Sequence, residues 1–120
     1  MLYLTHIRPD LSYAVSVVAR HMHQPHELHW KDAKIIIQYV QGTKKFGVHY
    51  TAGSSLQLAG FFYSDWAGDP TDRKSTSGFV FMFNEGPIFW SSKKQHTISL
   101  SSAEAEYRAT VNAATQCIWL

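Results

Sequence analysis

Three aromatic and β-branched runs follow one another between Leu56 and Ser92, and they restrict the fold more than any other feature. The runs are LQLAGFFY (56–63), GFVFMFN (78–84) and PIFWSS (87–92). Such side chains suit a pleated, half-buried surface. The link Asn84-Glu85-Gly86 between the last two is short enough only for an antiparallel hairpin. From about Ser102 the rhythm changes: Tyr107, Val111, Ala114 and Ile118 recur at i, i+4, i+7 and i+11, the spacing of one helix face. The second half is therefore expected to be an antiparallel three-stranded meander with a helix packed on one face, an α+β arrangement.

The first half has a different character. Pro9 sets the entry to a helix over RPDLSYAVSVVARHM (8–22), and Asp10 is placed to cap it. Leu11, Ala14, Val15, Val18, Ala19 and Met22 fall at helical spacing. After Pro25 a second helix is expected, with Leu28, Ala33, Ile36, Ile37 and Val40 facing inward and Gly42 as its stop. A short strand is expected at FGVHYT (46–51), then a linker at AGSS (52–55). The natural division is 1–55 and 56–120.

Composition narrows the classes. An apolar content of 45% is that of a globular chain rather than a disordered one. A net charge of +2 does not by itself call for nucleic acid. One cysteine, Cys117, excludes an internal disulfide, suits a reducing compartment and reads as a core thiol. With no membrane-length apolar run and no secretory start, an intracellular protein is expected. The ending on Ile118, Trp119 and Leu120 reads as a cut chain.

Two carboxylates stand out. Asp65 closes the first aromatic run, where an Asp is either an active-site edge or an ordinary cap before a turn. Ser101 and Glu104 have capping-box spacing, which leaves Glu106 without that duty beside Tyr107. Isolated helix glutamates are ordinarily solvated. A strand-end Asp and a helix Glu that converge can instead hold a divalent cation, because Mg²⁺ takes hard oxygen ligands and keeps several waters. Arg73 and Lys74 beside three hydroxyls, and Lys93 and Lys94 after the third run, suit phosphate contacts or solvated turns equally. His21, His23, His26 and His29 crowd one turn, but no cysteine or carboxylate pattern completes a zinc site there.

At SDWAGDPTDRKSTSGFVF (64–81) and WSSKKQHTISLSSAEAEYRA (90–109) the chain resembles the Pol polyproteins of copia-type retrotransposons. The segment from Tyr3 to Tyr50 is similar to the end of that family's reverse transcriptase, with thumb-like helices and a connecting strand. The resemblance implies that residues 56–120 are the first half of a ribonuclease H-like domain. It implies cleavage of the RNA strand of an RNA–DNA hybrid with two Mg²⁺ (or Mn²⁺) ions held by four acidic residues. Glu106 matches the family's helix carboxylate, and Asp65 the second Asp of its strand motif.

The motif's first Asp falls at position 63, where this chain has Tyr63. A phenol, with a pKa of about 10 and one oxygen, does not replace a bridging carboxylate. In a continuing strand Asp65 stands two rises, ~6.6 Å, further on. The family's remaining acidic ligands are expected beyond Leu120. The reading is a retrotransposon fragment, ancestrally a metal-dependent hybrid nuclease and inactive as it stands. The alternative is a non-catalytic relic that binds nucleic acid weakly through Arg73, Lys74, Lys93 and Lys94. Its partners would be an RNA–DNA hybrid or other nucleic acid, and the rest of a Pol polyprotein.

Overall fold

The computed structural model describes residues 1–53 and 57–120. The chain divides into two compact units, Met1–His49 and Tyr50–Leu120. The expected boundary between 55 and 56, and Leu56 as first residue of the first strand, fall at positions outside the described residues.

In the first unit, 3₁₀ turns at Leu2–His6 and Pro9–Leu11 lead into α1 (Ser12–Ala19), and α2 (Glu27–Gly42) follows. Leu11, Val15 and Ile36 form the buried centre, with Leu4, Ala14, Val18 and Val40 packed on it. Several expectations need correction. Leu28, Ile37 and Met22 are exposed. The eight residues of α1 cover only one stripe of the sixteen in α2, through Ile36 and Val40, so apolar residues off that stripe stay in water. Asp10 does not cap α1. Its carboxylate pairs with Arg8 (Nη2 to Oδ2 2.7 Å) and accepts from Tyr39 Oη at 2.9 Å. Arg8 Nη1 and Nη2 also donate to the Thr43 carbonyl and hydroxyl, which ties the start of α1 to the end of α2. Gly42 is the last residue of α2 rather than a left-handed stop, and Thr43 caps the helix by donating its N–H to Tyr39 and Val40. The strand expected at 46–51 does not form.

The second unit has the expected order. Strands β1 (Leu58–Ser64), β2 (Thr76–Phe83) and β3 (Gly86–Lys94) form an antiparallel sheet in the order β1-β2-β3, and α3 (Ser102–Trp119) follows. Asn84 takes the left-handed conformation (φ 53°) in the two-residue turn from β2 to β3, as such hairpins require. Its N–H donates to the Gln57 carbonyl and its side-chain oxygen accepts from the Gln57 N–H, closing the near end of β1. Tyr50 Oη and Thr51 Oγ1 donate to the Pro87 carbonyl and to Glu85 at the same turn. Those side-chain bonds hold the segment in place of a ladder. A register shift between Phe81 and Met82 gives β3 one extra residue.

The helix was expected to bury Tyr107, Val111, Ala114 and Ile118. It buries Ala105, Ala109 and Ala113 instead, while Tyr107 is 71% and Ile118 85% exposed. Alanine lets a helix lie close on a sheet, so the small-residue stripe faces β1 and β2 and the bulky one faces water. Steps of i+4 also rotate by about 40° each around the helix. By Cys117 the buried stripe has turned away, and that thiol, expected in the core, is exposed. On the sheet side Phe81 is the buried anchor, opposite Gly60 in the register. A Cβ on Gly60 would lie 2.7 Å from the Phe81 ring, so position 60 accommodates the ring only as glycine.

Candidate functional site

Asp65 follows β1 directly and is half-buried. Its N–H donates to the Thr76 carbonyl at 3.1 Å, and its Oδ1 accepts from the Thr76 N–H. Its carboxylate lies against the backbone of Gly68, where a Cβ would come within 2.1 Å of Oδ2. One carboxylate oxygen is thus engaged in holding the first residue of β2. This is the cap-before-a-turn role, with one oxygen remaining outside it.

The loop from 65 to 75 is ordered by its own polar groups. Ser75, fully buried, accepts from the Ala67 N–H through its hydroxyl. Asp69 Oδ1 accepts from the Thr71 N–H and Asp72 Oδ1 from the Lys74 N–H. Ala67 (φ 50°) and Arg73 (φ 58°) take left-handed backbone that the loop imposes on them. Lys94 Nζ sits 2.7 Å from both Asp69 and Asp72. Burial works against the charge on Lys94, but the hydrogen bonds to the two aspartates outweigh it and raise its pKa. The Lys94 contact in turn lowers that of Asp72. Lys94 therefore serves the loop, whereas Arg73 and Lys93 are exposed and Lys74 half-buried at the same end of the sheet.

The residue that organises this corner is Gln95, which sequence reasoning passed over. Only 7% exposed, it donates from Nε2 to Ser77 Oγ (2.7 Å), Ser64 Oγ (3.3 Å) and the Ala105 carbonyl (3.1 Å). Its Oε1 accepts from Ser99 Oγ at 2.9 Å, and its N–H donates to the Ser75 carbonyl at 2.7 Å. Ser64 precedes Asp65 and Ala105 precedes Glu106, so one buried amide joins the neighbours of the two candidate carboxylates. Nothing in the polar run WSSKKQHT separates Gln95 from the residues around it.

Glu106 is exposed in the second turn of α3. The capping spacing is realised next to it: Ser101 Oγ accepts from the Glu104 N–H, and Glu104 reaches back to the Leu100 N–H at 2.7 Å. That bond, followed by Arg108, holds the Glu104 carboxyl below its ordinary pKa. Tyr63 is paired with Gly78 in the register, one place before the Ser64–Ser77 pair. Ser64 and Ser77 turn to Gln95 and α3, so alternation puts Tyr63 on the opposite face of the sheet. Among the described residues no three His, Cys, Asp or Glu side chains gather in a metal-holding group.

A groove of about 640 Å³ runs between α3 and the β2–β3 side of the sheet. Phe79, Phe89 and Tyr107 supply apolar lining, and Lys93, His96 and Arg108 basic groups.

An antiparallel sheet with one helix laid across it, and a polar corner where an Asp-closed strand meets the start of that helix, define an α+β unit. The chain is 42% identical over 118 residues to the retrovirus-related Pol polyprotein from transposon RE2 of Arabidopsis thaliana, covering 98% of this chain and 8% of that protein. It is 41% identical over 113 residues to the corresponding polyprotein from transposon TNT 1-94 of Nicotiana tabacum, again 8% of its length. It is also 42% identical over 113 residues to secreted RxLR effector protein 161 of Plasmopara viticola, of which it spans 80%. No family model and no solved structure matches. The chain belongs to the family of retrovirus-related Pol polyproteins from transposons, and it spans about 8% of the length of those polyproteins. No helix among the described residues is long and apolar enough to cross a membrane.

Proposed function

We propose that this chain is the part of a copia-type Pol polyprotein where the reverse transcriptase ends (residues 1–55) and a ribonuclease H-like domain begins (residues 56–120), and that its corner at Asp65 and Glu106 does not cleave RNA–DNA hybrids. The observation that carries this is the Gln95 bridge. It joins Ser64 at the end of β1 to Ala105 at the start of α3, the residues that precede Asp65 and Glu106.

The donor set does not fit a two-metal centre. Two-metal hydrolysis holds its ions about 3.5–4 Å apart and needs a bridging carboxylate. Tyr63 is a phenol, and Asp65 spends one oxygen on Thr76. Mg²⁺ or Mn²⁺ binding is therefore weak or absent in this reading, and no hydrolytic step runs through it. Arg73, Lys74 and Lys93 are the groups we assign to phosphate contact with a hybrid or other nucleic acid. The chain works within the rest of the polyprotein and, like it, inside the cell.

Mn²⁺ titration followed by NMR line broadening tests the metal reading. Broadening spread thinly over exposed carboxylates, with no shared saturation at Asp65 and Glu106, is expected. Joint, saturable broadening centred on both at micromolar Mn²⁺ would refute it.

A further inference from the structure

We propose that the junction between α1 and α2 is acid-sensitive, opening the first turn of α2 when His29 takes up a proton. His29 is the third residue of α2, and its Nδ1 accepts the backbone N–H of His26, the N-cap, at 3.0 Å. The His26 side chain lies toward the His29 N–H in return, the capping-box arrangement that Ser and Glu ordinarily build. Histidine fills such a box only while the accepting nitrogen is bare. A proton on Nδ1 sets two donors against each other, and the N-cap N–H loses its partner.

A second contact points the same way. The His21 ring, just past α1, stacks on His29 with centroids 3.9 Å apart and planes 8° from parallel. His26 lies at 5.5 Å. Parallel rings that close cannot readily carry two positive charges at once. The other charged groups near His29 are Asp32, which favours the protonated form, and Glu27, held by Lys31 at 3.7 Å; Arg20 stands at the end of α1. Burial, then the charges of His21 and His26, lower the pKa of His29 from its ordinary 6.5. A histidine shifted downward stabilises the fold in its neutral form. That contribution is complete above about pH 6.5 and is lost as pH falls toward the folded-state value. A proton also adds positive charge at a helix N-terminus, where the dipole already disfavours it.

Imidazole ¹⁵N–¹H correlation spectra of the whole chain from pH 8 to 5 test this. At pH 8, His29 should carry its proton on Nε2 with Nδ1 bare. Its midpoint should fall below 6.5, and amide protection over Glu27–Trp30 should fall in step with it. His29→Gln, which keeps a neutral acceptor at the same position, should hold that protection down to pH 5, while His49→Gln should behave as wild type. A His29 midpoint at or above 6.5 would overturn the proposal, as would His29→Gln losing the first turn at the wild-type pH. If His29→Gln does not fold, the wild-type titration decides.

Discussion

Gln95 shows how much of the second unit rests on one amide. Its side chain satisfies Ser99 and the Ala105 carbonyl in buried surroundings and half-buried Ser77 beside them. Truncation leaves those groups unpaired, at a cost of roughly 1–3 kcal/mol. Gln95→Ala should lower the urea midpoint of the second unit accordingly, and an unchanged midpoint would remove Gln95 from its central place. Acid acts on a second residue. Glu104 has a depressed pKa because the Leu100 N–H and then Arg108 favour its charged form. A depressed carboxyl contributes stability above its ordinary value of about 4.5 and loses it as pH falls below that. The start of α3 should therefore fray as pH falls below about 4.5 in wild type. Glu104→Gln should flatten that dependence in pH-resolved hydrogen exchange. The residue scale was the least legible in the sequence. The Ser101–Glu104 spacing was visible through its capping pattern. Gln95 was not, because a buried amide and a solvated one look alike in a polar run. Asp10 was read as a cap since nothing local reveals Arg8 and Tyr39 as its partners.

Elements were read more easily than their faces. The aromatic runs separated by turns pointed to β1, β2, β3 and the intervening hairpin, whereas the shorter run at 46–51 did not become a strand. The face of α3 did not. Bulky residues at helical spacing suggested one stripe, while close approach to a sheet selected Ala105, Ala109 and Ala113 on the opposite side. Substitution separates the two stripes. Ala109→Leu forces extra volume between α3 and the sheet, and overpacking of this kind costs typically 1–3 kcal/mol. Tyr107→Ala on the exposed side should change stability by less than about 0.5 kcal/mol. Thermal unfolding of both variants checks this, and the reverse ranking would show that α3 is rotated. In α2 the same ambiguity arose, since Leu28 and Ile37 share the helical spacing but lie outside the stripe that α1 covers.

For the whole chain, the arrangement implies incomplete self-sufficiency. β1 lies at the edge of the sheet and carries no charged residue or proline from Leu58 to Ser64. Phe61, Phe62 and Tyr63 are all more than half exposed there. Unprotected edges and apolar patches favour association. Sedimentation at rising concentration should show self-association, and Phe61→Lys should reduce it. A monomer at all concentrations would contradict this.

The central claim is that this module keeps the β1–α3 corner of a nuclease-like site without the donor set that would make it cut. Incubation of the purified chain with an end-labelled RNA–DNA hybrid in Mg²⁺ and in Mn²⁺ tests that most directly. The account predicts no cleavage above the protein-free control, with any hybrid binding through Arg73, Lys74 and Lys93 weakening steeply as salt is added. Cleavage of the RNA strand that disappears in Glu106→Gln would contradict it.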